Sequence, residues 1–181
     1  NLFHANEFLE VVKEWQPEFT IILPGQWSQL QRLSSWNKDI FRCFKGILTG
    51  SYFFHQSFVN ELVDLGADVF HTYGGTEFGP FSFMEKYSSP SSKQLVLGRP
   101  VSDIEYKIVD HEMWVRGKTV SKAYVKDGIF CESYNSEGWY QTGDLVWQDE
   151  QSKQLYFKGR KGSEVRIIDR VFFPDELIQK L

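Results

Sequence analysis

The sequence predicts an α/β protein: a partial parallel sheet with flanking helices, followed by a small β-barrel-like subdomain. Three observations carry this expectation. Helical patterns alternate with short apolar runs through the first half, short strands and turns fill the second, and Ser88-Ser89-Pro90-Ser91-Ser92 marks the change between them. Residues 1–90 are expected to form the α/β part and residues 91–159 the β-rich part.

Phe8, Leu9, Val11, Val12 and Trp15 recur at helical spacing, which predicts a helix from Asn6 to Gln16 with Asn6 as its N-cap. Pro17 stops it. Phe19-Thr20-Ile21-Ile22-Leu23 reads as a buried strand closed by Pro24-Gly25, and a second helix is expected over Trp27 to Leu33. Phe44 to Leu48 reads as a strand ending in Thr49-Gly50-Ser51. Gln56 to Leu65 has the spacing of a helix, with Gly66 as its C-cap, and Ala67 to His71 is the next strand. Beyond Tyr87 the expected strands are Gln94–Leu97, Ile104–Val109, Met113–Val115, Trp139–Thr142, Leu145–Trp147 and Leu155–Lys158, with a helix over Val120–Val125. Trp114, Trp139, Trp147, Tyr156 and Phe157 are expected to build the core of this half.

Composition narrows the functional classes. A net charge of −4, with no block of Lys and Arg, argues against a nucleic-acid partner. Cys43 and Cys131 lie far apart, and His4, His55, His71 and His111 show no metal-ligand spacing, so neither a disulfide framework nor a zinc cluster is expected. No run is apolar enough to span a bilayer, and a reducing cytoplasm is the default. Both ends read as cut: Asn1 stands where a start Met would, and Leu181 falls within an amphipathic pattern.

The stretch from Asp68 to Pro80 carries the first candidate site. Its apolar run feeds Tyr73-Gly74-Gly75-Thr76-Glu77, a glycine-rich turn with a hydroxyl and a carboxylate side by side. Glycines admit a ligand close to backbone N–H groups. Thr76 can donate to a phosphate oxygen, and Glu77 can hold a hard cation such as Mg²⁺. The bland alternative is a tight turn with both side chains solvated. Both glycine-bearing turns follow strands of an expected parallel sheet, where ligands bind, and that favours a site.

Further motifs come in order: Gly98-Arg99-Pro100-Val101, Glu112-Met113-Trp114-Val115-Arg116-Gly117, Gly138-Trp139-Tyr140-Gln141-Thr142-Gly143-Asp144-Leu145, Gly159-Arg160 and Pro174-Asp175-Glu176-Leu177. With Thr49-Gly50-Ser51-Tyr52 and the Tyr73–Glu77 turn, the series resembles the adenylate-forming (AMP-binding) enzymes: acyl-CoA synthetases, aryl-CoA ligases and peptide-synthetase adenylation domains. The resemblance covers the second part of that family's large domain, and makes residues 160–181 the hinge and the start of a C-terminal domain, with Arg160, Lys161 and Gly162 at the hinge.

The resemblance implies ATP-dependent activation of a small carboxylic acid as an acyl adenylate, then transfer to the thiol of CoA or a carrier protein. It implies that Thr76 bonds the α-phosphate, Glu77 binds Mg²⁺, Tyr73 and Phe157 flank the adenine, and Asp144 accepts the ribose hydroxyls. Arg160 would reach the ribose or α-phosphate, while Gly50, Ser51 and Gly74 line the nucleotide by backbone approach. The bland alternatives make Asp144 a turn acceptor and Arg160 a surface fork paired with Glu164. The sequence also departs from the family. No Ser/Thr/Gly-rich phosphate loop precedes Thr49, the C-terminal lysine lies beyond the resemblance, and Thr49, Tyr52, Gly162 and Asp169 replace the usual residues. These departures imply that the chain alone is inactive, and keep open a second reading as a truncated, catalytically inactive nucleotide-binding or scaffold module.

Overall fold

The computed structural model describes residues 3–50, 55–101, 103–167 and 170–174. The chain divides into two compact units: Asn1–Thr72 with Glu85–Leu95, and Tyr73–Met84 with Val96–Leu181.

In the first unit, α1 (Ala5–Trp15) buries Leu9 and Val12 and ends where Gln16 turns left-handed, its N–H returning to Val12 O. His4 occupies the N-cap position expected for Asn6. Helix α2 (Pro24–Gln31) starts earlier than its apolar spacing suggests. Pro24 fits the first turn, and the Gln26 side chain accepts from the Leu23 N–H. Strand β1 (Phe19–Ile21) pairs in parallel with β2 (Gly46–Gly50), which pairs in parallel with the first residues of β3 (Asp68–Gly75). Helix α3 (Gln56–Val63) links β2 to β3. Leu9, Val12, Leu30, Phe41, Ile47, Val59, Leu62 and Val69 form the core, edged by Trp27 and Trp36. The expectation that β1 is buried is corrected: Phe19 and Ile21, which share one face of the strand, are 68% and 57% exposed, whereas Ile22 just beyond it is buried.

The second unit takes over within β3 at Tyr73. The chain turns at residues 76–78 and returns as β4 (Gly79–Tyr87), which pairs with the short β5 (Arg99–Pro100). The strand expected over Gln94–Leu97 is irregular. Strands β6 (Ile104–Val109), β7 (Glu112–Gly117), β10 (Tyr140–Gln148) and β11 (Leu155–Arg160) form a four-stranded antiparallel sheet in the order β11-β10-β7-β6. Two antiparallel ribbons accompany it: β8 (Ala123–Lys126) with β9 (Ile129–Glu132), and β12 (Val165–Ile167) with β13 (Arg170–Phe172).

The helix expected over Val120–Val125 is therefore corrected: Val120–Lys122 is irregular, and Ala123–Val125 belongs to strand β8. Asp127 and Gly128, both at positive φ, close a hairpin there. The core of this unit is also more aliphatic than expected. Phe78, Phe83, Met113, Val115, Tyr140, Val146 and Leu155 fill it. Trp139 is buried as expected, with Lys107 and Arg116 packed over its ring, and Lys107 also lies over Trp114; Trp147, 41% exposed, stacks on Tyr156 at 4.2 Å outside the core.

Candidate nucleotide site

The expected glycine-rich loop is the end of a strand: Tyr73, Gly74 and Gly75 belong to β3, and only residues 76–78 turn. The reason for Gly74 is steric. A Cβ there would stand 2.5 Å from the Pro80 carbonyl carbon and 2.7 Å from its oxygen. Backbone cannot yield as a flexible side chain does. Gly74→Ala is therefore expected to destabilise the protein by about 1–3 kcal/mol, read as a lower urea midpoint; an unchanged midpoint would contradict the crowding.

The turn leaves Thr76 exposed at its tip and Glu77 half-buried beside it. The connector between β7 and β8 holds this turn from one side. Ser121 N donates to Glu77 O at 2.6 Å and Thr119 Oγ1 donates to Phe78 O at 3.1 Å, while the Tyr124 phenol on β8 lies within electrostatic reach of the Glu77 carboxylate. The Tyr124 and Tyr140 hydroxyls share a hydrogen bond at 3.1 Å. Burial, with the neighbouring phenol and carboxylate, pushes the Tyr124 phenol above its ordinary value.

Asp144 sits at the centre of the site, only 5% exposed. Its Oδ2 accepts from the Tyr73 hydroxyl at 2.6 Å, and its Oδ1 lies 3.3 Å from Arg160 Nη1. Antiparallel register sets Asp144 directly opposite Arg160 on β11. Among the described residues, then, Arg160 pairs with Asp144, and its Nη2 donates to Thr142 O at 3.4 Å. Burial raises the Asp144 carboxyl above the usual aspartate range, with the Glu112 charge adding to it, although Tyr73 and Arg160 pull the other way. The Tyr73 phenol is raised in turn by burial and by the adjoining Asp144 charge.

An irregularity in β10 creates this corner. From Gln141 to Leu145 the strand takes four steps while β7 takes two, from Trp114 to Glu112. The extra residues bulge, and a bulge re-aims the side chains it carries. Gly143 adopts φ 72°, a left-handed conformation that disfavours any side chain. Thr142 Oγ1 donates to Met113 O at 2.7 Å and accepts from Asp144 N at 3.1 Å. Gly143 N donates to Glu112 Oε1 at 3.0 Å, and Lys161 Nζ to Glu112 Oε2 at 2.8 Å.

The structure thus gathers Tyr73, Gly74, Thr76, Glu77, Asp144, Phe157 and Arg160 in one unit, with Phe157 half-buried against its core. Gly50 lies in the other unit, buried in β2 opposite Thr72. Ser51 lies outside the described residues, as do Tyr52, Asp169 and the segment Asp175–Leu177. Gly162 turns at φ 84° immediately after Lys161. Sequence reasoning assigns no role to Glu112, Tyr124, Tyr140 or Thr142; all but Tyr124 stand inside quoted motifs, which is the available signal. Among the described residues no helix is long and apolar enough to cross a membrane.

The family model described as AMP-binding enzyme matches residues 1–125. A 2-succinylbenzoate–CoA ligase of Haemophilus influenzae is 29% identical over 126 residues, covering 67% of this chain and 27% of the relative. An indoleacetate–CoA ligase of Aromatoleum aromaticum is 24% identical over 186 residues, covering 97% of this chain and 36% of the relative. The solved O-succinylbenzoate CoA synthetase of Bacillus subtilis, in complex with ATP and magnesium ion, matches with a TM-score of 0.72 at 22% identity, over 96% of this chain and 38% of that one. At that identity the match shows the fold. The chain spans well under two thirds of the length of each of these relatives.

Proposed function

This chain belongs to the AMP-binding enzyme family, and from that membership we propose that it supplies the nucleotide-handling part of an acid–thiol ligase. The reaction would be attack by a small-molecule carboxylate on the α-phosphorus of ATP. A new P–O bond forms as the bond to pyrophosphate breaks, and the acyl adenylate then passes its acyl group to the thiol of CoA or a carrier protein. Its setting would be the cytoplasm.

The residues fit a nucleotide. Asp144 offers two carboxylate oxygens to a pair of vicinal hydroxyls, and Arg160 sets a fixed cation beside them. Tyr73 and Phe157 would offer ring faces to the adenine, and the exposed Thr76 hydroxyl would donate to the α-phosphate. Among the described residues no cluster of three His, Cys, Asp or Glu could hold a metal. Glu77 alone suits a hard cation that brings phosphate and water oxygens with it. When bound, such a cation would neutralise charge on the departing pyrophosphate. Arg160, Lys161 and Gly162 would form the hinge to a C-terminal domain.

One observation carries this reading: a buried carboxylate, Asp144, paired with both a phenol and a guanidinium at a bulge. Its raised pKa supplies the test. The charged form accepts ribose hydroxyls better, so calorimetry should find adenosine binding at neutral pH. Affinity should fall as pH drops through a value above the ordinary aspartate range. Stability carries the opposite sign. With the folded pKa above the unfolded one, the group's contribution is fully present below the unfolded value and lost as pH rises through the folded one. A pH-independent affinity would count against Asp144 as the ribose acceptor. Absence of any nucleotide binding would favour the scaffold reading.

A further inference from the structure

We infer that Glu112 is a positioning residue for the nucleotide site: its buried carboxylate replaces the ladder acceptor missing at the β10 bulge, and so fixes where Asp144 points. The inference rests on the reading of Asp144 as the ribose acceptor.

The strand ladder sets the requirement. In an antiparallel pair each inward N–H meets a carbonyl of its neighbour. Between Gln141 and Leu145 that pattern fails, because β10 has more residues than β7 can face. Gly143 is half-buried, and an N–H there without an acceptor is costly, so another group takes it. Glu112 does so. It opens β7, is 5% exposed, and directs Oε1 at the Gly143 N–H from 3.0 Å.

The same residue is tied at its other end, since Gly143 O accepts from Lys161 N at 2.7 Å. Lys161 Nζ then returns to Glu112 Oε2 at 2.8 Å. The result is a closed ring of Glu112, Gly143 and Lys161. Both polar groups of Gly143 and both carboxylate oxygens of Glu112 are used within it. Asp144 is the next residue along the chain, so rotation of the Gly143 backbone would swing its carboxylate away from Tyr73 and Arg160.

Glu112 also works electrostatically against the site, because its charge raises the Asp144 carboxyl. Lys161 offsets it, and Glu112 in turn lifts the Lys161 amine above its ordinary value. A carboxylate kept beside another carboxylate needs a reason, and the Gly143 N–H supplies one. What the bulge requires is an acceptor at full glutamate length; the charge is secondary.

Two substitutions separate reach from charge. Glu112→Gln keeps an amide oxygen at the same reach, while Lys161, 61% exposed at its side chain, can turn to solvent. Glu112→Asp keeps the charge and loses the reach. AMP affinity is measured by calorimetry on the whole chain, with thermal melts alongside. Glu112→Gln is expected to retain affinity within about threefold, because its amide carbonyl still accepts from Gly143. Glu112→Asp is expected to lose about tenfold or more, the equivalent of one hydrogen bond to a charged group. Equal affinities for Glu112→Asp and wild type, or a larger loss for Glu112→Gln than for Glu112→Asp, would overturn the inference. An Asp144→Ala control separates the two levels. If wild type binds AMP and Asp144→Ala does not, the site stands and only the Glu112 result decides. If both bind equally, or neither binds, the site reading falls and takes this inference with it.

Discussion

Asp144→Ala should weaken AMP binding by at least two orders of magnitude. Each ribose hydroxyl donating to a charged carboxylate contributes about 1.5–3 kcal/mol, and both bonds are lost together. The sum, roughly 3–6 kcal/mol, corresponds to a factor of about 10² or more in affinity. A smaller effect should appear without ligand. The buried Tyr73 hydroxyl loses the acceptor it holds at 2.6 Å, and an unpaired buried donor costs about 1–3 kcal/mol, so the melting temperature should fall. Asp144→Asn separates the two effects, because its amide oxygen can still accept from Tyr73. Its melt should stay closer to wild type while its affinity still drops. An Asp144→Ala protein that binds AMP normally would make Asp144 a turn residue and no more.

Glu77→Gln has the second large expected effect, confined to the metal. The substitution keeps the shape and reach of a half-buried side chain. What disappears is the negative charge that would hold a hard cation. Wild type should bind ATP more tightly with Mg²⁺ than with chelator present. In Glu77→Gln that advantage should shrink by about tenfold, the scale of one charge-assisted contact. AMP without metal should bind the variant and wild type alike, and their melting curves should overlap. An undiminished Mg²⁺ advantage would remove Glu77 from the metal role.

The local parts of the molecule are legible in the sequence, and the pairwise parts are hidden. Helical spacing finds α1 and α3, and apolar runs find β2 and β3, because periodicity is a property of a segment by itself. Whether Phe19 and Ile21 are buried depends on what pairs with β1, which no spacing within that strand records. Strand β4 escapes because Gly79-Pro80 reads as punctuation, although Gly79 is where the strand begins. The β8–β9 hairpin is legible in Asp127-Gly128, a strong turn signal that a short helical spacing at Val120–Val125 outweighs.

The same division runs through the site. Tyr73, Asp144 and Arg160 stand in short motifs, and the antiparallel register of β10 and β11 joins two of them. Glu112 cannot be assigned that way. Its task exists only because β10 carries more residues than β7 at one point, and a mismatch between two strands cannot be read from either alone.

The most direct test is a thermodynamic cycle pairing Asp144→Ala with removal of the ribose hydroxyls. Calorimetry would give four affinities: AMP and 2′,3′-dideoxy-AMP, each on wild type and on Asp144→Ala. If Asp144 holds the ribose, wild type should prefer AMP by a factor of about 10² or more, and the variant should show no preference. The coupling would then equal almost the whole loss. If the preference for AMP survives in Asp144→Ala, or wild type never shows one, the hydroxyls meet some other group and the nucleotide site proposed around Asp144 is wrong.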